Sequence, residues 1–202
     1  MTKKDHILEC AEELFAENGY NGTSVRALAQ KAGVNIAMIS YYFGSKEELF
    51  ANLVEYRVSV LRERIQGIQK VDASSMEKME RLIDVYVDRI FSQFRFHRIL
   101  HRQISLQRRS ELNELIIQVL MKNVDEVRKL INEGIESGEF RKIDADLLIV
   151  TLTGTVSQLT LSSALSSRIM GVETEGCYFK DDQVTDRIKV YMKDLVSQLL
   201  LK

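Results

Sequence analysis

Residues 23–50, TSVRALAQKAGVNIAMISYYFGSKEELF, decide the fold of this chain, because they hold three helix signals at close spacing. Thr23 or Ser24 can cap a first short helix, since a side-chain oxygen there accepts a hydrogen bond from a free backbone N–H. Gly33 stands where that helix would end in a left-handed conformation. Ser45-Lys46-Glu47-Glu48 is the capping box of a longer helix. A helix, a tight turn and a second helix predict the geometry that places the second helix in a DNA major groove.

The second of these helices, about 35–42, has two different sides. Its apolar spacing predicts that Val34, Ile39 and Phe43 pack inward. The outward side then carries Ile36, Ala37, Ser40 and Tyr41. Side chains such as isoleucine, alanine and methionine can contact the methyl groups of thymine, which is an apolar form of base recognition.

Several motifs in a fixed order make residues 4–60 similar to a known family. They resemble the DNA-binding domain of the TetR family of bacterial transcription regulators, in the first helix ILECAEELFAENGY, the GTS that follows, the AxxAGV turn at 29–34, and YYFGSKEELF. The resemblance implies a homodimeric, sequence-specific DNA-binding regulator. It implies a repressor, released from its operator when a small-molecule ligand in the C-terminal domain tilts the fourth helix. The family often has tyrosine where this chain has Ser40, so that phosphate contact is either lost or moved to Tyr41 or Tyr42.

The residues expected to contact DNA are drawn from both helices and from the start of the next one. Arg26 matches a family position that reaches a guanine or a phosphate, and Lys46 lies near a helix N-terminus, where anions bind. Tyr42 could equally pack in the core. The predicted set is Ser24, Arg26, Asn35, Ile36, Ala37, Met38, Ser40, Tyr41, Tyr42 and Lys46.

Composition predicts an all-α protein of the cytoplasm. The chain has 202 residues, no proline and no strand-type alternation, so nothing interrupts long helices. Its two cysteines, Cys10 and Cys177, do not form a disulfide framework, and the N-terminus lacks the apolar core of a signal peptide. The net charge is −1, so DNA binding would depend on where the basic residues are placed. Residues 147–167 carry no charge, but their many serines and threonines make the stretch too polar for a membrane span.

The spacing predicts about nine helices in two domains, a helix-turn-helix domain over 1–60 and a ligand-binding and dimerisation domain over 61–202. The eighth helix is expected over about 145–167 and the ninth over about 182–201. Both would leave more apolar surface than one small domain can cover, so they are expected to pair with a second copy. The predicted dimer residues are Gly154, Ser157, Leu159, Ser162, Ile188, Tyr191 and Leu195.

A ligand pocket is expected inside a second core formed by the middle helices. The ligand would be largely apolar, with an anionic head near Arg98 or Arg102, because arginine binds carboxylates and phosphates. The alternative for these arginines is a solvated face that pairs with acidic residues. The predicted pocket residues are Tyr86, Ile90, Phe94, His97, His101, Ile104, Ile117 and Leu120.

No metal, cofactor or catalytic site is expected. His97 and His101 are four residues apart and share a helix face, but Arg98 and Arg102 flank them and repel cations. The sequence shows no nucleophile–base pair and no phosphate loop. Two alternatives to a ligand-responsive regulator stay open. One is a structural, nucleoid-organising DNA-binding protein without an inducer, and the other is an enzyme or carrier that has kept the fold without DNA binding.

Overall fold

The computed structural model describes residues 2–106, 110–172 and 178–201, which form ten α-helices, one short 3-10 helix and no strand. This confirms the predicted all-α class. The helices are α1 (Lys3–Gly22), α2 (Val25–Lys31), α3 (Ile36–Phe43), α4 (Lys46–Gln69), α5 (Ser75–Ser92), α6 (Phe94–Leu106), α7 (Glu111–Glu136), α8 (Ala145–Leu161), α9 (Ser163–Met170) and α10 (Asp182–Leu200), with the 3-10 turn Tyr178–Lys180 before α10.

The chain divides into two compact units. The first unit contains Met1–Val60 and Arg95–Met121, and the second contains Leu61–Phe94 and Lys122–Lys202. Each unit has its own apolar core. In the first unit, residues of α6 and α7 such as Leu100 and Ile116 join the same buried cluster as α1 to α4. The helices α4 and α7 therefore supply residues to both units.

Local side-chain caps explain where the first helices begin. Ser24 accepts a hydrogen bond from Ala27 N at 3.1 Å, and Ser45 accepts one from Glu48 N at 3.0 Å. Thr23, the other candidate cap, instead donates its hydroxyl to the carbonyls of Leu14 and Gly19. These caps satisfy N–H groups that have no partner inside the helix.

The prediction of a single eighth helix over 145–167 is wrong, because the chain breaks at Ser162 and turns by 100° between α8 and α9. The break leaves carbonyls of α8 without their usual helical partners. At Leu159 O the Tyr178 hydroxyl takes the place of such a partner and donates at 2.6 Å. Gln158 O keeps its helical partner, Ser162 N at 3.1 Å, and also accepts a hydrogen bond from the Ser166 hydroxyl at 3.3 Å. Tyr178 is almost fully buried, so the bend is held by the core of the second unit.

No individual helix among the described residues has both the length and the apolar character needed to cross a membrane. The bent pair α8 and α9 meets that requirement only when its two helices are counted together.

A close contact between α7 and the turn after it depends on Gly134. The Phe140 backbone N–H donates to Gly134 O at 2.8 Å, which lays the phenylalanine ring over the glycine. A Cβ atom on Gly134 would lie 2.2 Å from Phe140 Cδ2. The neighbouring Glu139 carboxylate accepts hydrogen bonds from the N–H groups of Ser75 and Met76, so this turn also caps α5.

We expect Gly134→Ala to lower the free energy of unfolding by about 1–3 kcal/mol, because the buried Phe140 ring must move to admit the methyl group. Gly67→Ala in α4 is the control, since an added Cβ there meets nothing within 4 Å. That substitution should raise stability by up to about 1 kcal/mol through helix propensity. Urea unfolding of both variants measures the difference, and equal stabilities would contradict the role given to Gly134.

Candidate DNA interface and ligand cavity

The helix α3 presents an uncommonly apolar, exposed face. Asn35 caps it by accepting a hydrogen bond from Met38 N at 2.8 Å, and Ile39 and Phe43 anchor it in the core. Ile36 is 47% exposed and Tyr41 is 83% exposed. Ala37 and Ser40 are exposed as well. The outward orientation predicted for these four residues is confirmed, while their contacts with DNA stay a prediction.

The two tyrosines of α3 are placed differently. Tyr41 points into solvent, and its ring lies edge-on to Tyr42 with 5.3 Å between ring centroids. Tyr42 is half-buried and packs against the core of the first unit. Its ring therefore packs against the core, as the alternative interpretation of Tyr42 predicted. Met38 is also half-buried.

Two further predicted contacts lie on α2. Ser24 is exposed and caps the helix, so its neighbouring N–H groups point outward from a helix start. Arg26 is exposed on the first turn. A hydroxyl, a helix N-terminus and a guanidinium are all groups that bind phosphate oxygens.

Lys46 is held by the chain itself. Its Nζ donates to the carbonyls of Tyr20 and Thr23, both at 2.8 Å, and lies 4.2 Å from the centroid of the Tyr20 ring. Partial burial lowers the pKa of Lys46. The Tyr20 hydroxyl donates to Glu47 Oε1 at 2.8 Å, and this bond lowers the pKa of the Glu47 carboxyl. Two of the three N–H groups of Lys46 are thus engaged, which leaves one for a phosphate.

An apolar cavity of about 90 Å³ lies inside the second unit. Its accessible wall is entirely apolar, because the polar groups at its edge bond to the protein: Thr153 donates to Ile149 O at 2.8 Å, and Asn123 accepts from Arg62 Nε at 2.9 Å. The wall comes from α4, α5, α7, α8 and α10, and is formed by Leu61, Ile65, Leu82, Ile83, Tyr86, Asn123, Val124, Val127, Ile149, Leu152, Thr153 and Met192.

The residues predicted to line a pocket are divided between the two units. Tyr86 lines the cavity, and Ile90 and Phe94 pack against the same core. The other five lie in the first unit, so the expectation of one second core around all of them is wrong; they are His97, His101, Ile104, Ile117 and Leu120. Among these, Ile104 and Leu120 pack against the core of the first unit, and Ile117 is exposed.

The rings of His97 and His101 on α6 lie edge to face, with 4.3 Å between their centroids and 60° between their planes. His97 is 6% exposed, although the arginines around it in the sequence suggest a solvated helix. Burial, with a smaller effect from His101, lowers the pKa of His97 to about 3. Burial also lowers the pKa of His101. Over the described residues, no three His, Cys, Asp or Glu side chains come close enough to hold a metal ion.

The outer faces of α8 and α10 expose large apolar side chains. Val150 on α8 and Val190 on α10 are 64% and 68% exposed. The other large apolar side chains exposed on these two helices are Leu147, Leu161 and Tyr191. Of the predicted dimer residues, Gly154 and Tyr191 are exposed, whereas Ser157, Leu159, Ser162 and Leu195 are half-buried.

Ile188 was also expected at a dimer interface, but it is buried in the core of its own unit. The inward stripe of α10 consists of Val184, Ile188, Met192, Val196 and Leu200. Cys10 is buried in the first unit, and Cys177 lies outside the described residues.

Two family models match the chain. Residues 7–53 match the model described as bacterial regulatory proteins, tetR family, and residues 72–161 match the tetracyclin repressor-like C-terminal domain. Together these matches span more than half of the chain.

Similar proteins come from Bacillus subtilis. The chain is 26% identical over 201 residues to the "Probable HTH-type transcriptional regulator YttP", covering 96% of this chain and 94% of that protein. It is 28% identical over 156 residues to a "Fatty acid metabolism regulator protein", covering 75% and 78% of the two chains.

A solved structure shares the fold. It is the transcriptional regulator FadR from Bacillus subtilis in complex with stearoyl-CoA, with a TM-score of 0.74 at 22% identity. The likeness covers 93% of this chain and 96% of that one. Three findings indicate the same family. They are the helix-turn-helix with its exposed α3 face, the matched N-terminal and C-terminal models, and this shared fold. The chain belongs to the TetR family of bacterial regulatory proteins, and it is a DNA-binding regulator of transcription.

Proposed function

We propose that this protein is a homodimeric repressor that leaves its operator when a fatty acyl-CoA binds. Residues 1–60 would bind DNA through α2 and α3, and residues 61–202 would bind the effector and form the dimer. The observation that carries the proposal is the apolar cavity of the second unit, whose accessible wall offers no polar group to a ligand. Such a wall suits a hydrocarbon chain and leaves the polar head of the ligand to other residues.

The helix α4 supports a regulatory role for this cavity. Leu61 and Ile65 of α4 line it, and the same helix begins at Lys46 beside the DNA-binding residues. Next to the cavity, Gln66 and Gln69 of α4 donate hydrogen bonds to the Glu126 carboxylate and carbonyl on α7. An effector that separates α4 from α7 would disturb these bonds. It must bind the DNA-incompetent state more tightly, since equal affinity for both states shifts nothing.

The similar fatty acid regulator and the stearoyl-CoA complex support the choice of effector. An effector with a coenzyme A group and a DNA operator would both be met in the cytoplasm, which we propose as the location. The functions of the similar proteins are regulatory, and we propose no catalytic reaction.

The proposal is tested by fluorescence anisotropy on operator DNA selected from a random library. We expect acyl-CoAs to release the DNA and free coenzyme A to leave it bound. Butyryl-, dodecanoyl- and stearoyl-CoA together would define the chain length that the cavity admits. Val124→Phe, which fills the cavity, should lose the response, and Val71→Phe, at an exposed position away from the cavity, should keep it. If the protein stays bound to its operator in the presence of every acyl-CoA, acyl-CoAs are refuted as its effectors.

A further inference from the structure

The cavity of the second unit is small for a fatty acyl chain. Its volume is about 90 Å³, and every residue that lines it belongs to that one unit. An apolar protein cavity of about 150 Å³ binds one benzene molecule. In proportion, the cavity of the second unit has room for about four carbon atoms.

Burial distinguishes the closed end of the cavity from its outer side. The wall residues Ile65, Ile83 and Met192 are each exposed by 2% or less, so they form the inner end. The wall residues Val124 on α7 and Thr153 on α8 are half-buried and lie nearer the surface. An acyl chain that enters from this outer side therefore places its terminal methyl group at the inner end.

Two ion pairs fix the helices at the inner end. Lys193 Nζ lies 2.7 Å from Asp84 Oδ2, and Lys189 Nζ lies 2.6 Å from Asp88 Oδ1. Both pairs join α10, which carries Met192, to α5. The two lysine side chains are less than one-third exposed, so salt and water screen these pairs less than surface pairs. Because protein interiors are close-packed and overfilling them is unfavourable, the inner end should not recede for a longer chain.

We infer that the cavity binds a short acyl group of about four carbon atoms, and that Met192 sets this length by contacting the terminal methyl group. The inference rests on the proposed function and adds the size of the acyl group to it. Each methylene that enters an apolar cavity tightens binding about fourfold. Methylenes that do not fit stay in water and add no affinity.

A series of ligands and two substitutions test the size limit. The ligands are free coenzyme A and acetyl-, butyryl-, hexanoyl- and octanoyl-CoA. Met192→Ala removes the end of the side chain and deepens the cavity, whereas Met192→Leu is the matched control, since it nearly conserves volume. Titration calorimetry on each full-length protein gives the dissociation constants, and thermal unfolding checks that each variant folds.

We expect the wild type to bind butyryl-CoA about 15-fold more tightly than acetyl-CoA, because two more methylenes are buried. Octanoyl-CoA should bind no more tightly than butyryl-CoA, whereas a cavity without this limit would give it a further gain of about 200-fold. Met192→Ala should bind hexanoyl-CoA about 15-fold more tightly than butyryl-CoA. Met192→Leu should keep the wild-type order.

The outcomes separate this inference from the proposed function. A wild type whose affinity keeps rising from butyryl- to octanoyl-CoA overturns the size limit and leaves the acyl-CoA proposal standing. A folded Met192→Ala protein with the wild-type order of affinities overturns the role of Met192. A wild type that binds every acyl-CoA no more tightly than free coenzyme A overturns both the inference and the proposed function. The wild-type series decides the size limit even where Met192→Ala does not fold.

Discussion

Replacing both Val150 and Val190 with arginine should convert the protein to a monomer and weaken operator binding at least 100-fold. Both side chains are more than half exposed in the single chain, on the faces of α8 and α10 that we propose meet a second copy. The double change would place four arginines in the interface of a dimer. Burying unpaired charges is strongly unfavourable, so the dimer should dissociate.

Loss of the dimer should remove DNA binding because two half-sites are read together by two recognition helices. Sedimentation equilibrium at micromolar concentration measures the mass, and anisotropy on the selected operator measures the affinity. Val71→Arg is the matched control, since Val71 is an exposed valine of the same unit outside α8 and α10. The control should stay dimeric. A double variant that remains a dimer would show that the protein uses another surface.

Tyr41→Ala should weaken operator binding roughly 100-fold or more. We propose that the hydroxyl of this exposed tyrosine binds a phosphate, and hydrogen bonds to charged groups contribute about 1.5–3 kcal/mol each. The change occurs once in each subunit, so the effect is counted twice in the dimer, which gives about 3 kcal/mol or more. Tyr41→Phe, which keeps the ring, separates the hydroxyl from the aromatic contact.

The neighbouring Ile36→Ala should behave differently from Tyr41→Ala. Phosphate contacts carry no sequence information, so Tyr41→Ala should weaken binding to all sequences alike. We expect Ile36 to contact thymine methyl groups, so its loss should change the preference at one base position of each half-site. Binding-site selection with each variant measures both effects. Identical base preferences and affinities in wild type and variants would show that α3 is not the helix that recognises the operator.

The sequence predicts the faces of α3 well because local signals determine them. Asn35 caps the helix, and the spacing of Ile39 and Phe43 shows which side is buried. The break at Ser162 could not be predicted, since no proline or glycine stands there. It depends on the hydroxyl of Tyr178, which is 19 positions from its partner Leu159.

Two other differences between the sequence predictions and the structure have a similar physical origin. The helix α10 has apolar residues on two sides, and periodicity shows which residues share a face but not which face turns inward. This is why Ile188 was expected at an interface while the exposed Val190 was not. The burial of His97 comes from the packing of Phe96 and Leu100 in the first unit, which no local pattern in an arginine-rich stretch reveals.

The engagement of Lys46 has a consequence for the kinetics of DNA recognition. Its ammonium already donates hydrogen bonds to the carbonyls of both Tyr20 and Thr23, which come just before α2 in the chain. Folding, rather than the encounter with DNA, therefore restricts this long side chain and the loop beside it. A surface ordered in advance loses less conformational entropy on association. Differences between good and poor operator sequences should then be expressed mainly in how long the complex lasts, with similar rates of association.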